Sequence, residues 1–246
     1  MKRIIKNKVA LVTGAGKRLG RHIAISLAAN GYTVIVNYHH SESGARTTCS
    51  RIAKMGGAAF PVRADVTNKR EVKQMIVNVH HRFGRIDLLV NNAAIFMEKK
   101  LLKITEKEWD TIIDINLKSV FICSQVVIPI MLKQNIGRII NIASLGGIQA
   151  WKQHIPYSVS KAGVIMLTKC LAKECAPTVM VNAIAPGTII IPGEEKSGQK
   201  HVSVSSIPMK KYGAPEDITS LVVFLATTST YITGQIIAVD GGRSIQ

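Results

Sequence analysis

The chain is poor in cysteine and in acidic residues, and it has no long apolar run. Its four cysteines (Cys49, Cys123, Cys170 and Cys175) form no CxxC pair and show no zinc-type spacing. That excludes a disulfide framework and a structural zinc site, and it fits a reducing cytosol. No metal site is expected. The longest apolar stretch, Val120 to Leu132, is interrupted by Ser124, Gln125 and Pro129. It falls short of the roughly 18 apolar residues that a membrane span needs. The basic start, Met1 to Lys8, lacks the apolar segment of a secretory signal, so a cytoplasmic location is expected. Fifteen Asp and Glu face 32 Lys and Arg, a formal net charge of +17. This excludes an electrostatically indifferent surface and points to an anionic partner, ligand or environment.

What is present is a regular alternation. Short apolar runs read as buried strands at Val9–Val12, Tyr32–Val36, Ala58–Val62, Asp87–Val90, Arg138–Ile142, Val179–Ile184 and Ile236–Val239. Helical patterns separate them, among them Ser43–Met55, a segment capped by Asn68 and running to Phe83, Thr105–Met131, Pro156–Ala176 and Pro215–Ala226. Strands alternating with helices imply an α/β fold: one doubly wound Rossmann-type domain over residues 1–246, its seven-stranded parallel sheet covered by helices on both faces. No linker, low-complexity tract or short repeat divides it. Residues 188–212 read as a substrate lid, and 192–206 within them are polar and irregular.

Thr13-Gly14-Ala15-Gly16-Lys17-Arg18-Leu19-Gly20 follows the first strand and opens a helix. Glycines there let the backbone approach a pyrophosphate, and the helix N-terminus favours the anion. The spacing is GxGxxxG, one residue longer than the general dinucleotide fingerprint. After the second strand comes Asn37-Tyr38-His39-His40-Ser41, with no carboxylate for ribose hydroxyls before Glu42. Lys17, Arg18, His39, His40 and Ser41 suit a 2′-phosphate, so NADPH is expected over NADH. Two adjacent histidines without further clustered ligands point to phosphate or surface rather than metal.

Tyr157 and Lys161 stand four apart on one helical face. An ammonium near a phenol lowers the phenol pKa and makes it a general acid–base. Ser144 ends the fifth strand, and Asn91-Asn92-Ala93-Ala94 and Pro186-Gly187-Thr188 end the fourth and sixth. All three lie at the carboxyl edge, where such sheets bind ligands.

These residues resemble the short-chain dehydrogenase/reductase family over essentially the whole chain. The matching motifs are Thr13–Gly20, Asp65-Val66, Asn91-Asn92-Ala93, Asn116, Ser144, Tyr157-Ser158-Val159-Ser160-Lys161, Pro186-Gly187 and Asp240-Gly241-Gly242. The resemblance implies a tetrad. Tyr157 gives the proton to a carbonyl oxygen, Lys161 lowers the tyrosine pKa and bonds the nicotinamide ribose, Ser144 holds the oxygen, and Asn116 positions a relay water. It also implies that Asp65 and Val66 bracket adenine and that Asn91 and Ala93 line the adenosine ribose. Gly14, Gly16, Leu19, Gly20, Asn37, Pro186, Gly187, Thr188 and Ile189 complete the cofactor contacts.

The chain departs from the family where Arg18 replaces the middle glycine of the turn, Ala94 a glycine, and Ile191 a threonine. The turn, with Tyr38-His39-His40-Ser41, is similar to pteridine reductases, which use NADPH. The remainder is similar to 3-oxoacyl-acyl-carrier-protein reductases, through Ile115–Val120, Tyr157–Gly163 and Tyr231–Gln235. The resemblance therefore implies reduction of a 3-oxoacyl thioester in fatty-acid-type metabolism, with pterin or another ketone or sugar as alternatives. Trp151 and His154 are placed at the substrate pocket. An acidic carrier protein is a possible partner. The family's two docking arginines align with Asn135 and Pro177-Thr178, so Lys133, Arg138, Lys169 and Lys173 stand as substitutes. Relatives form tetramers through the two long helices, which implies a homotetramer or homodimer. A nucleotide-sensing or nucleic-acid-binding protein is the non-enzymatic alternative. The dispersed basic residues, without interleaved aromatics, argue against it.

Overall fold

The computed structural model describes residues 8–193 and 202–245. Seven parallel strands form one sheet in the order β3-β2-β1-β4-β5-β6-β7. They are β1 (Val9–Val12), β2 (Thr33–Tyr38), β3 (Ala59–Arg63), β4 (Leu88–Asn91), β5 (Gly137–Ile142), β6 (Val179–Pro186) and β7 (Ile236–Val239). The order reverses between β1 and β4, which opens the crevice at the carboxyl ends of the strands.

The register puts Leu89 beside Leu11 on one side and Ile139 on the other. Successive side chains alternate between faces and build two cores. On one face Leu11, Leu89, Ile139 and Val181 pack with Val72 and Ile76 of α3 (Lys69–Phe83) and with Val127 and Met131 of α5 (Ser119–Lys133). On the other, Val12, Val34, Val90 and Ile140 meet Ile23 and Leu27 of α1 (Arg18–Ala29) and Ile218 and Val222 of α7 (Pro215–Thr227).

Helix ends follow local chemistry. Asn68 accepts hydrogen bonds from the Arg70 and Glu71 amides and caps α3, which Gly84 closes at φ 72°. Thr105 and Glu108 form a reciprocal capping box on α4 (Glu106–Ile113). The sequence pattern predicts one α-helix over Thr105–Met131. The structure instead places a π-helical turn, Asp114–Lys118, between α4 and α5. This whole run, Glu106–Lys133, is long and apolar enough to cross a bilayer. Here, Ile112, Val120, Cys123, Val127 and Met131 are buried within the domain. The remaining helices are α2 (Glu42–Lys54) and α6 (Ile155–Cys175). Part of the expected lid, 194–201, lies outside the described residues.

Leu89 is fully buried between the centre of the sheet and the α3–α5 layer. Leu89→Ala is expected to lower the unfolding free energy by about 2–5 kcal/mol in urea titrations. A loss below about 1 kcal/mol would contradict this central placement.

Candidate active site

The glycine-rich turn is held from three sides. Gly14 sits at φ 63°, and its amide donates to Asn37 Oδ1 at 3.3 Å. A Cβ on Gly20 would lie 2.5 Å from both the Gly14 carbonyl and Asn92 Nδ2, so only glycine lets α1 start there. Thr13 Oγ1 accepts from the amides of Asn92 and Ala93 at 2.9 and 3.0 Å. Asn92 Nδ2 returns a bond to the Thr13 carbonyl at 2.9 Å. Behind the turn, Arg21 donates to the Gly16 carbonyl at 2.8 Å and to Thr48 Oγ1 at 3.3 Å. The sequence reading missed Asn92, Arg21 and Thr48 as supports, because their partners lie on other elements. Asn92's place inside the Asn-Asn-Ala motif was the one available signal.

Arg18 adopts φ 50°, a left-handed conformation that costs a non-glycine residue about 1 kcal/mol. Lys17 and Arg18 are exposed, no side chain caps α1, and its first turn holds no acid. Across the crevice the His39 and His40 rings lie 3.7 Å apart, and His39 Nδ1 is 3.9 Å from Asp65 Oδ2. Burial raises the Asp65 pKa, but the amide and hydroxyl of Thr67 and the two imidazoles outweigh it, so the carboxyl stays below its ordinary value. Val66 is buried beside it, and the Ser41 carbonyl packs against Gly16.

Two expected cofactor contacts have their side chains engaged elsewhere. Asn37 Nδ2 reaches the Ala64 carbonyl at 3.1 Å. Asn91 is buried, and its Nδ2 donates to Asn141 Oδ1 at 2.8 Å and to Ser124 Oγ at 3.4 Å. Both are fully desolvated amides that need protein partners. At the end of β6, the Gly187 amide donates to the Val239 carbonyl, and the Thr188 carbonyl accepts from Gly213. Pro186, Thr188 and Ile189 are half-buried there, and Ile191 is buried.

Ser144, Tyr157 and Lys161 meet at the edge of β5, and Asn116 reaches them through Ser160. The Ser144 hydroxyl accepts from the Gly146 amide at 3.0 Å and lies beside the Tyr157 phenol. Burial pushes the Tyr157 pKa up, and the neighbouring Ser144 hydroxyl offsets only part of that rise. Lys161 Nζ lies 6.0 Å from the Tyr157 ring centre and donates to the Ile142 carbonyl at 2.7 Å. Burial pulls the Lys161 pKa down to about 8. The expected lowering of the phenol by the ammonium is therefore reversed here: desolvation dominates both groups.

Asn116 lies in the π turn and is fully buried. Its Oδ1 accepts from the Ile95 amide at 2.8 Å. Its Nδ2 donates to the Ile95 carbonyl at 2.9 Å and to Ser160 Oγ at 3.1 Å. Both Nδ2 hydrogens are thus taken by protein, and Oδ1 keeps one acceptor site beyond the Ile95 amide. Trp151 stacks on Tyr157, with ring centres 6.2 Å apart at 16°. His154 is edge-on to Trp151 at 5.9 Å. Phe96, absent from the sequence reading, lies 4.9 Å from Tyr157 and 4.8 Å from His154. A cleft of about 830 Å³ near Arg21, His22 and Arg51 contains none of the tetrad.

Between about pH 8 and 10 the unfolded chain holds a proton on Lys161 that the folded chain releases. Stability contributed by this site therefore rises with pH across that window. From pH 8 to 9.5, the unfolding free energy of the wild type relative to Lys161→Met is expected to rise by about 1.5 kcal/mol in denaturant titrations. A flat difference would contradict a buried, depressed ammonium.

The family model described as enoyl-(acyl carrier protein) reductase matches residues 14–244. A 3-oxoacyl-[acyl-carrier-protein] reductase of Synechocystis sp. is 44% identical over 238 residues, 96% of either chain. The Thermotoga maritima protein of the same name is 38% identical over 98% of this chain and 99% of its own. Among solved structures, acetoin dehydrogenase from Enterobacter cloacae superposes with a TM-score of 0.89 at 33% identity, covering 98% and 97% of the two chains. A variant actinorhodin polyketide ketoreductase with NADPH gives 0.90 at 33%, covering 98% of both. With its tetrad assembled at the carboxyl edge of a doubly wound sheet, the chain belongs to the short-chain dehydrogenase/reductase family.

Proposed function

We propose that the chain is an NADPH-dependent carbonyl reductase that converts 3-oxoacyl thioesters to 3-hydroxyacyl thioesters in fatty-acid-type metabolism. The observation that carries this reading is the buried Lys161, its Nζ on the Ile142 carbonyl and 6.0 Å from the centre of the Tyr157 ring, on the helix that follows Ser144. Curated relatives at 38–44% identity, named for that reaction, support it.

The turn fits a dinucleotide. Gly14 and Gly20 leave a cradle that any Cβ would fill, and the uncapped start of α1 favours a pyrophosphate. Lys17, Arg18, His39, His40 and Ser41 would hold a 2′-phosphate; Asp65, Val66 and Ala93 would meet the adenosine, with Asn91 acting through its backbone. A bound nicotinamide supplies the hydride. Tyr157 Oη gives its proton to the nascent alkoxide, and the Ser144 hydroxyl bonds the same oxygen. The Lys161 ammonium stabilises the phenolate left when that proton departs, while its Nζ stays on the Ile142 carbonyl.

Exposed Lys133, Lys169 and Lys173 suit an acidic carrier. Arg138 does not, because its guanidinium is spent on the Leu225 carbonyl. The exposed apolar side chains of Phe121, Val159 and Met166 on α5 and α6 suit a homotetramer or homodimer, in the cytoplasm. A second reading, pteridine reductase, draws on Arg18 at the turn and on the flat aromatic walls of the pocket.

NADPH oxidation with a short 3-oxoacyl thioester is expected to proceed in the wild type and to fall at least about a hundredfold in Tyr157→Phe. Turnover only with a dihydropterin would replace the substrate assignment, and turnover only with a 2-enoyl thioester would replace the reaction. Arg18→Gly is expected to raise KM for NADPH about tenfold while leaving that for NADH unchanged; equal effects on both would remove the phosphate role of Arg18.

A further inference from the structure

The C-terminal turn reaches the active-site wall. Asp240 ends β7 and caps the turn, accepting from the Gly242 and Ser244 amides at 3.0 and 2.6 Å. Gly241 and Gly242, at φ 67° and 87°, bend the chain back over the loop that follows β5. Gln149 Nε2 then donates to the Arg243 carbonyl at 3.0 Å. The Arg243 guanidinium lies 5.6 Å from the centre of the Trp151 indole.

Trp151 depends on such support. Its Nε1 is buried with no hydrogen-bond partner among the described residues, so no polar bond fixes the ring. The indole instead rests on Gly146, where a Cβ would come within 2.9 Å of it, and on Tyr157 and His154. Tyr157 is thus flanked by Trp151 and by Phe96. The two substituents of a carbonyl placed at the phenol hydroxyl must pass these rings. The position of Trp151 therefore sets how wide a substituent the site admits.

We propose that Arg243 is a positioning residue for substrate selection, holding the Trp151 indole against Tyr157 so that the site accepts slim acyl chains and rejects chains branched next to the carbonyl. Its substrate terms rest on the 3-oxoacyl reading above. A guanidinium over an indole is a directional attraction, and loss of a partly desolvated one relaxes the ring. Lysine retains a cation over the ring without the planar stack, whereas glutamine retains neither.

The test uses the full chain in a Trp109→Phe background, where Trp151 is the one tryptophan left. Trp109 lies on α4, partly exposed, and makes no ring contact with Tyr157 or Trp151 among the described residues. In Arg243→Gln, the kcat/KM ratio of a branched (4-methyl-3-oxopentanoyl) to a straight (3-oxohexanoyl) thioester is expected to rise about five- to tenfold, and Trp151 emission to shift to the red. Arg243→Lys is expected to restore most of both. A ratio within about twofold of wild type, or an equal fall for both substrates, overturns the selection role even if emission shifts. Unchanged emission in Arg243→Gln overturns the contact itself. Failure of the wild type on both thioesters overturns the substrate reading. Selection by Arg243 as stated then falls with it, and the emission separately supports or overturns the Arg243–Trp151 clamp.

Discussion

The bond from Lys161 Nζ to the Ile142 carbonyl ties the helix that carries the chemistry to the strand that carries Ser144. Two turns further along α6, Thr168 Oγ1 accepts from Asn141 Nδ2 at 2.9 Å. Asn141 in turn accepts from Asn91 on β4. A buried polar ladder thus crosses β4, β5 and α6 just beneath the edge of the sheet. Each member is satisfied by another, so the ladder tolerates little sliding of α6 against the sheet. Tyr157, one turn before Lys161, inherits that position.

The same arrangement is electrostatically expensive. Among the described residues no carboxylate pairs with Lys161, and burial alone depresses it. A buried ammonium facing one carbonyl is under-solvated, and that makes it responsive to a neighbouring phenol or hydroxyl. The aromatic collar deepens the effect by keeping water from Tyr157. The π turn serves the same end. It brings Asn116 to where its amide grips both polar atoms of Ile95 and reaches Ser160, whose hydroxyl donates to the Tyr157 carbonyl at 2.7 Å. The loop bearing Phe96 and the helix bearing Tyr157 are joined through one buried amide.

Much of this was legible in the residue string. Continuous apolar runs such as Val9–Val12 mark strands covered on both faces, and glycine before a helix marks a close backbone approach. The tetrad follows from Ser144, Tyr157 and Lys161 taken with the family pattern. What escaped is set by tertiary partners. Nothing around Asn37 or Asn91 distinguishes an amide facing a ligand from one spent on a neighbouring strand. The π turn leaves the apolar periodicity of 105–133 almost intact, so one long helix is the natural reading. Phe96 lies in a loop, where no period applies. The direction of the Tyr157 shift follows from the burial of the phenol itself, which a four-residue spacing does not encode.

Arg18 shows how a departure from pattern is compatible with the fold. The turn needs a left-handed residue where Arg18 stands, and arginine takes up that conformation at a cost of about 1 kcal/mol. Natural chains retain such strain where the surroundings over-determine it. Here the surroundings do: Gly14, Gly20, Asn92 and Arg21 fix the turn from both sides. The position thus exchanges backbone ease for an exposed cation beside Lys17 at the start of α1. In a chain with a +17 excess, another basic residue adds little to long-range steering. Its contribution is therefore local to the turn.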